Sequence, residues 1–258
     1  MKTENCLNKI KLKYHSPFYS FIHNQDKNTS KDTFYNTDDF TWVKDVEQNF
    51  KIIKDEVLNY LSNNHHQLKP YFASSMINKA ENWKVLGFLF WGNKMSVHVM
   101  RACPATLSIL KRIPGLVSAS ISITEPYTDI KPHYGDTDAI YRCHFGIEIP
   151  ASLPYCGFRV AYEDRRWEEG KILMFNDANY HRGWNYTPKR RIILILDVLK
   201  EQYIPHKKWI CSMVLSGLYM QFIKQKFSIS YKRSGVFFKP VFYFIACVIY
   251  LIKSITPE

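Results

Sequence analysis

The segment from Ile140 to Ile149 constrains this chain more than any other stretch. It alternates as a β-strand does, with Tyr141, Cys143, Phe145, Ile147 and Ile149 on one face. The other face carries Ile140, Arg142, His144, Gly146 and Glu148. Two further segments repeat the pattern. In 117–124, Val117, Ala119, Ile121 and Ile123 alternate with Ser118, Ser120, Ser122 and Thr124. In 191–198, Ile192, Leu194, Leu196 and Val198 alternate with Arg191, Ile193, Ile195 and Asp197. Such strands predict a small barrel or sandwich whose interior holds a few selected polar groups. Inward polar groups are costly unless something charged or hydrogen-bonding meets them. Arginines and a histidine converging there call for an anion, a carboxylate held by a guanidinium fork.

The remaining pattern frames that core. Segments 84–92, 157–162, 171–175 and 190–199 read as strands, several separated by Gly, Pro or Asp turns, as in a sandwich or barrel with helices packed outside. Val43, Val46, Phe50, Ile53, Val57 and Leu61 recur in steps of three and four, which predicts one amphipathic helix with Asp38 or Asp39 as N-cap. Pro104 and Pro114–Gly115 bracket a short helix. The chain divides into a helical lead-in over 1–84, its first 36 residues loosely structured, a β domain over 85–200, and a tail over 201–258.

Charge singles out the tail. The net charge is +12, and from Lys200 onward nine Lys or Arg face two acids, leaving +7 there and +5 on the preceding 199 residues. No RNP-like, helix-turn-helix or zinc-finger pattern accompanies it, so nucleic acid is not expected as a partner. The stretch "VFFKPVFYFIACVIYLI" is interrupted by Lys239 and Pro240 and is too short and broken to span a bilayer. No segment of the sequence has a secretory signal's layout, and the six cysteines form no CxxC, so reduced thiols in a cytoplasmic or membrane-associated protein are expected. The tail is expected either to pack on the barrel as helices or to rest, through residues 203–258, on a membrane surface.

Two more histidines lie near the polar strands: His133 after Pro132, and His181 closing "FNDANYHRGW". Neutral imidazoles are common ligands for divalent iron. Together, "KPHYGDTDAIYRCHFGIEIP" and "WEEGKILMFNDANYHRGWNYTPKRRIILILDV" resemble the aspartyl/asparaginyl β-hydroxylase family. The resemblance runs from about Cys103 to Lys200. It rests on a histidine, an Arg-x-His nine residues on, a Trp-x-x-Gly turn, a Phe-x-Asp segment, a second histidine, and an arginine ten further on.

The resemblance implies a mainly β fold, a double-stranded β-helix of jelly-roll or cupin-like type, with flanking N-terminal helices and a helical C-terminal tail. It also implies iron(II), 2-oxoglutarate as cosubstrate, and O2. His133 and His181 match the family's catalytic iron ligands. Ser122, Arg142, His144 and Arg191 match residues that hold 2-oxoglutarate. Trp167 and Gly170 match an architectural turn, and Asp177 matches an acidic position near the site. Where the usual iron triad has H-x-D, this chain has Gly135, a variation the family also shows; the implied site is a two-histidine one, with Asp136 as a supporting or turn residue, the alternative being Asp136 as an oxygen ligand. The implied reaction is hydroxylation of an unactivated carbon, first the β-carbon of an Asp/Asn-type residue in a peptide or small amino-acid-like molecule. The alternatives are a lipid A fatty-acyl chain at the membrane and a non-catalytic anion-binding barrel.

Overall fold

The computed structural model describes residues 32–64, 68–71, 76–227 and 238–255. Most of the expected loose lead-in lies outside them. The described residues form two antiparallel sheets. The larger runs β1 (Lys69–Pro70), β2 (Trp83–Phe90), β4 (Leu116–Thr124), β11 (Arg191–Leu199), β6 (Ile140–Glu148) and β9 (Ile172–Phe175), with β3 (Asn93–Lys94) paired to β2. The smaller runs β5 (Thr128–His133), β10 (His181–Asn185), β7 (Cys156–Val160) and β8 (Glu163–Arg165). This is the mainly β, jelly-roll architecture that the resemblance implied, with flanking helices.

Strand parity decides what each face of the large sheet meets. Ala119, Ile121, Ile123, Cys143, Phe145, Ile147, Ile192, Leu194, Leu196 and Val198 pack in one core against the N-terminal helices. Those helices are α1 (Thr41–Gln48), α2 (Phe50–Asn63), α3 (Val97–Ala102) and α4 (Pro104–Lys111). Ser118, Ser120, Ser122, Arg142, His144, Arg191, Ile193, Ile195 and Asp197 turn the other way and line a cavity. Arg142 and His144 face that cavity, not the outer surface of the sheet.

The helical lead-in differs from its expectation in one respect. The apolar stripe from Val43 to Leu61 is carried by two helices, not one, and the break falls at Asn49. The Asn49 amide bonds the carbonyl and carboxylate of Asp45, which diverts the chain while both apolar faces stay on the sheet. Asp38 and Asp39 sit in a 3-10 turn capped by Asn36, and Phe40 precedes α1 without a side-chain cap.

After β11 the chain makes a 3-10 turn and then α5 (Lys207–Lys226); α6 (Phe238–Ile255) follows. Ile210, Cys211 and Val214 of α5 pack on Val117, Ile140 and Leu199 of the sheet and on Trp91 and Ala139 in the turns beside it. Pro240 falls in the first turn of α6, where its missing N–H has no helical partner to lose. No helix among the described residues is long and apolar enough to cross a membrane.

Candidate active site

The two sheets enclose a cavity of about 390 Å³. One wall belongs to the small sheet, where His133 on β5 and His181 on β10 are register partners. Their ring centroids are 4.3 Å apart. Each Nδ1 lies 2.8 Å from a backbone carbonyl two residues upstream, of Lys131 and Asn179 respectively. Those carbonyls can only accept, so each Nδ1 carries the proton and each Nε2 keeps its lone pair. Burial lowers His133 to about 4 and holds His181 well below its ordinary value. Both rings are therefore neutral at pH 7, the form that binds a metal.

The opposite wall is the polar face of β4, β6 and β11. Arg191 is almost fully buried, with Nε donating to Thr124 Oγ1 at 3.0 Å and its guanidinium 4.6 Å over the Trp167 ring. Its Nη1 has no partner, and among the described residues no carboxylate pairs with it. Burial pushes its pKa down to about 10, so it stays a cation at neutral pH. An uncompensated cation this deep is expensive unless an anion arrives.

His144 and Ser122 flank it on the same face. Trp167 Nε1 donates to His144 Nδ1 at 3.2 Å. An indole can only donate, so the His144 proton sits on Nε2. Burial, then the positive field of Arg191, keeps this ring neutral as well. Ser122 Oγ accepts from Trp83 Nε1 at 3.0 Å, which fixes its hydroxyl oxygen at the cavity wall.

Arg142 is placed differently from what its matched role implied. Its Nε and Nη2 fork onto Asp197 at 2.7 and 3.0 Å, and its Nη1 lies 2.8 Å from Asp177 Oδ1. Asp136 Oδ2 is 3.6 Å from Nη2. Burial alone would lower its pKa, but these carboxylates hold it well above the usual value. Arg142 lines the cavity with its charge already answered.

Asp177 explains Gly135. A Cβ on Gly135 would stand 1.6 Å from Asp177 Oδ2, so a side chain there and this carboxylate compete for one space. The backbone N–H of Asp136 donates to Asp177 Oδ2 at 3.1 Å, and Oδ1 lies 3.7 Å from His181 Nε2. Burial raises Asp177 to about 7, against the pull of Arg142. Among the described residues no three His, Cys, Asp or Glu side chains form a closed metal cage. Two neutral imidazoles with free Nε2 atoms are a donor set that suits divalent iron when a ligand supplies further oxygens.

All six matched site residues thus line one cavity. The sequence reading missed Thr124, Trp83 and Asp197 as partners, although strand parity puts Thr124 on the face of Ser122 and Asp197 on the face of Arg191; register then sets Thr124 opposite Arg191 and Asp197 opposite Arg142. Trp167, assigned to architecture, also fixes the His144 tautomer and lies under Arg191. Gly170, with φ +73°, is the architectural member of that turn.

This jelly roll, which sets two neutral histidines opposite a buried, unanswered arginine, is the framework of a hydroxylating enzyme. Residues 47–201 match the model of the aspartyl/asparaginyl β-hydroxylase family, and the chain belongs to that family. The ornithine lipid ester-linked acyl 2-hydroxylase of Rhizobium tropici is 30% identical over 196 residues, 74% of this chain and 69% of that protein. The human aspartyl/asparaginyl β-hydroxylase is 30% identical over 172 residues, 64% of this chain but 22% of that protein. Among solved structures, a prolyl-4-hydroxylase from Pseudomonas putida is similar over 58% of this chain and 87% of its own, with a TM-score of 0.42 at 10% identity.

Proposed function

We propose that the chain is an iron(II)- and 2-oxoglutarate-dependent dioxygenase that hydroxylates an unactivated carbon. The observation that carries this is Arg191, a buried cation with an unpartnered Nη1 in the same cavity as two neutral histidines. His133 and His181 would hold iron through Nε2. The metal, with 2-oxoglutarate and O2, would supply the power to oxidise a C–H bond: one oxygen atom would go to the substrate carbon and the other to the cosubstrate, which would lose CO2 and leave as succinate. The chain's own part is binding and orientation. Arg191 meets the distal carboxylate of the cosubstrate, and His144 donates to it from Nε2–H. The Ser122 hydroxyl completes the cradle. Arg142 keeps Asp177 and Asp197 in place instead of serving as the main anion anchor.

The cavity crosses the large sheet from β6 through β11 and β4 to β2, and its character changes on the way. Arg142 and His144 stand at the polar side; Val85, Leu89, Phe90 and Met95 form an apolar side. That apolar arm suits an acyl chain better than the short side chain of Asp or Asn, and we therefore place a lipid acyl chain first. The relative named as a lipid acyl hydroxylase supports this order. A peptide Asp/Asn-type residue is the second reading, supported by the human relative at the same identity.

Anaerobic titration with iron(II) and 2-oxoglutarate tests the reading. A visible absorption band that needs both is expected, and Arg191→Lys should keep iron binding while weakening 2-oxoglutarate by about 2–5 kcal/mol, the cost of breaking a buried charged pair. His133→Ala should lose both. A wild-type protein with no such band, or an Arg191→Lys variant with unchanged cosubstrate affinity, refutes the assignment. Mass spectrometry of acyl amino-acid lipids and of Asp-containing peptides after aerobic turnover then separates the substrates.

A further inference from the structure

We infer that the outer face of α6 is a docking surface for an anionic phospholipid membrane, with the helix lying along the surface. This inference concerns the tail alone and does not depend on what the cavity oxidises. α6 is apolar nearly all round: "FKPVFYFIACVIYLIKSI" contains no acid. A helix of that composition is normally buried on every side. Among the described residues only one stripe of it is covered. Phe242 and Ala246 are buried against Met213 and Met220 of α5, with Ile245 packed alongside. Ser216 Oγ donates to the Phe242 carbonyl at 2.7 Å, and Trp209 meets Tyr250 edge-on at 5.8 Å. Those contacts make α5 and α6 an antiparallel pair, with α5 packed on the sheet side.

The opposite stripe is open. Val241, Phe244, Val248, Leu251 and Ile255 follow in steps of three and four and are exposed, Phe244 to 70%, Leu251 to 63% and Ile255 to 82%. Fourteen residues of rise make this stripe about 21 Å long. On the neighbouring helix Phe222 and Phe227 are also exposed, with Lys226 over both rings. Scattered surface apolar groups need no explanation; an aligned row of large ones does.

Charge selects the occupant. Residues 200–258 carry +7. A second copy of the chain would bring an identical basic tail against this one. Residues 1–31 hold six Lys and two acids, so they too would be repelled. An anionic leaflet answers both the charge and the apolar row, as it does for helices that lie in the interface. The placement is also apt. The turn after β2 touches this hairpin: a Cβ on Gly92 would stand 3.3 Å from Lys253 Nζ and 3.7 Å from Cys211 Sγ, and Lys253 donates to Asn93 Oδ1 at 2.8 Å. Phe90 and Trp91, just before that turn, line the apolar side of the cavity. Docking would bring that side of the cavity towards the lipid.

The test is flotation of the full chain with vesicles of phosphatidylcholine alone or with added phosphatidylglycerol, at low and high salt. Wild type should float with the anionic vesicles at low salt and much less at high salt. Phe244→Gln/Leu251→Gln should reduce vesicle binding about tenfold or more, because two large apolar groups no longer leave water. Its thermal midpoint should not fall, since neither side chain is buried. Failure of wild type to float with either vesicle overturns the inference, as does undiminished flotation of the double variant. A lipid-free dimer by light scattering that the double variant abolishes would assign the face to a second copy instead, and overturns it too.

Discussion

Gly135 and Asp177 are a pair that only three dimensions reveal. They lie 42 residues apart, yet the chain places the Asp177 carboxylate where a side chain at 135 would begin. Gly135→Asp, which would restore an H-x-D order, should therefore destabilise the fold by about 1–3 kcal/mol, the usual cost of overpacking a filled site. Gly135→Asp combined with Asp177→Gly should recover most of that loss, because one carboxylate then occupies the space instead of two. Urea unfolding of these two variants and of Asp177→Gly alone measures the coupling, and simple additivity of the two changes would show that they do not compete. Residue types at the site were legible: His133, His181, His144, Ser122, Arg142 and Arg191 all reach the cavity. What was not legible is who answers whom. Nothing in the order of residues shows that Arg142 is held by three carboxylates while Arg191 is held by none, because Asp136, Asp177 and Asp197 come from separate segments.

At the scale of elements, parity carried the reading where strands are long and one face is wholly apolar. β4, β6 and β11 are of that kind and were read nearly to their ends. β5 and β10 were not, although they bear the two candidate ligands. "TDIKPH" contains Pro132, and "HRGWN" is five residues with one glycine; neither alternates in a way that marks a strand. Their pairing with each other and with β7 decides their conformation. The α3–α4 junction shows the same dependence on remote groups. Pro104 begins α4 as expected, but its first free N–H groups are met by Glu56 of α2: Ala105 N and Thr106 N donate to the two carboxylate oxygens at 3.0 and 2.7 Å. A carboxylate on a helix N-terminus also suits the helix dipole. Glu56→Ala should cost about 1–2 kcal/mol, as loss of a cap does, and Glu56→Gln less. Equal midpoints for wild type and Glu56→Ala in thermal unfolding would show the cap to be idle.

Over the whole molecule, the cavity makes stability depend on pH in a direction that can be worked out. His133 is lowered from 6.5 to about 4, and His144 and His181 are held well below 6.5. A group with a depressed folded pKa contributes stability that is present above its unfolded value and lost as pH falls towards the folded one. Asp177 has the opposite sign: raised from 3.8 to about 7, it contributes stability that is present below 3.8 and lost as pH rises through about 7. Between pH 6.5 and 4 the histidines therefore oppose the aspartate, and three groups outweigh one. Each uncompensated proton is worth about 1.4 kcal/mol per pH unit, so metal-free protein should lose thermal stability steadily as pH falls from about 6.5 to about 4. Asp177→Asn removes the one opposing group, and its acid loss should be steeper than that of wild type. Scanning calorimetry of both proteins across that range checks the sign. A midpoint that stays flat or rises on acidification would mean that the histidines are already charged in the fold, a state in which neither His133 nor His181 could hold a metal.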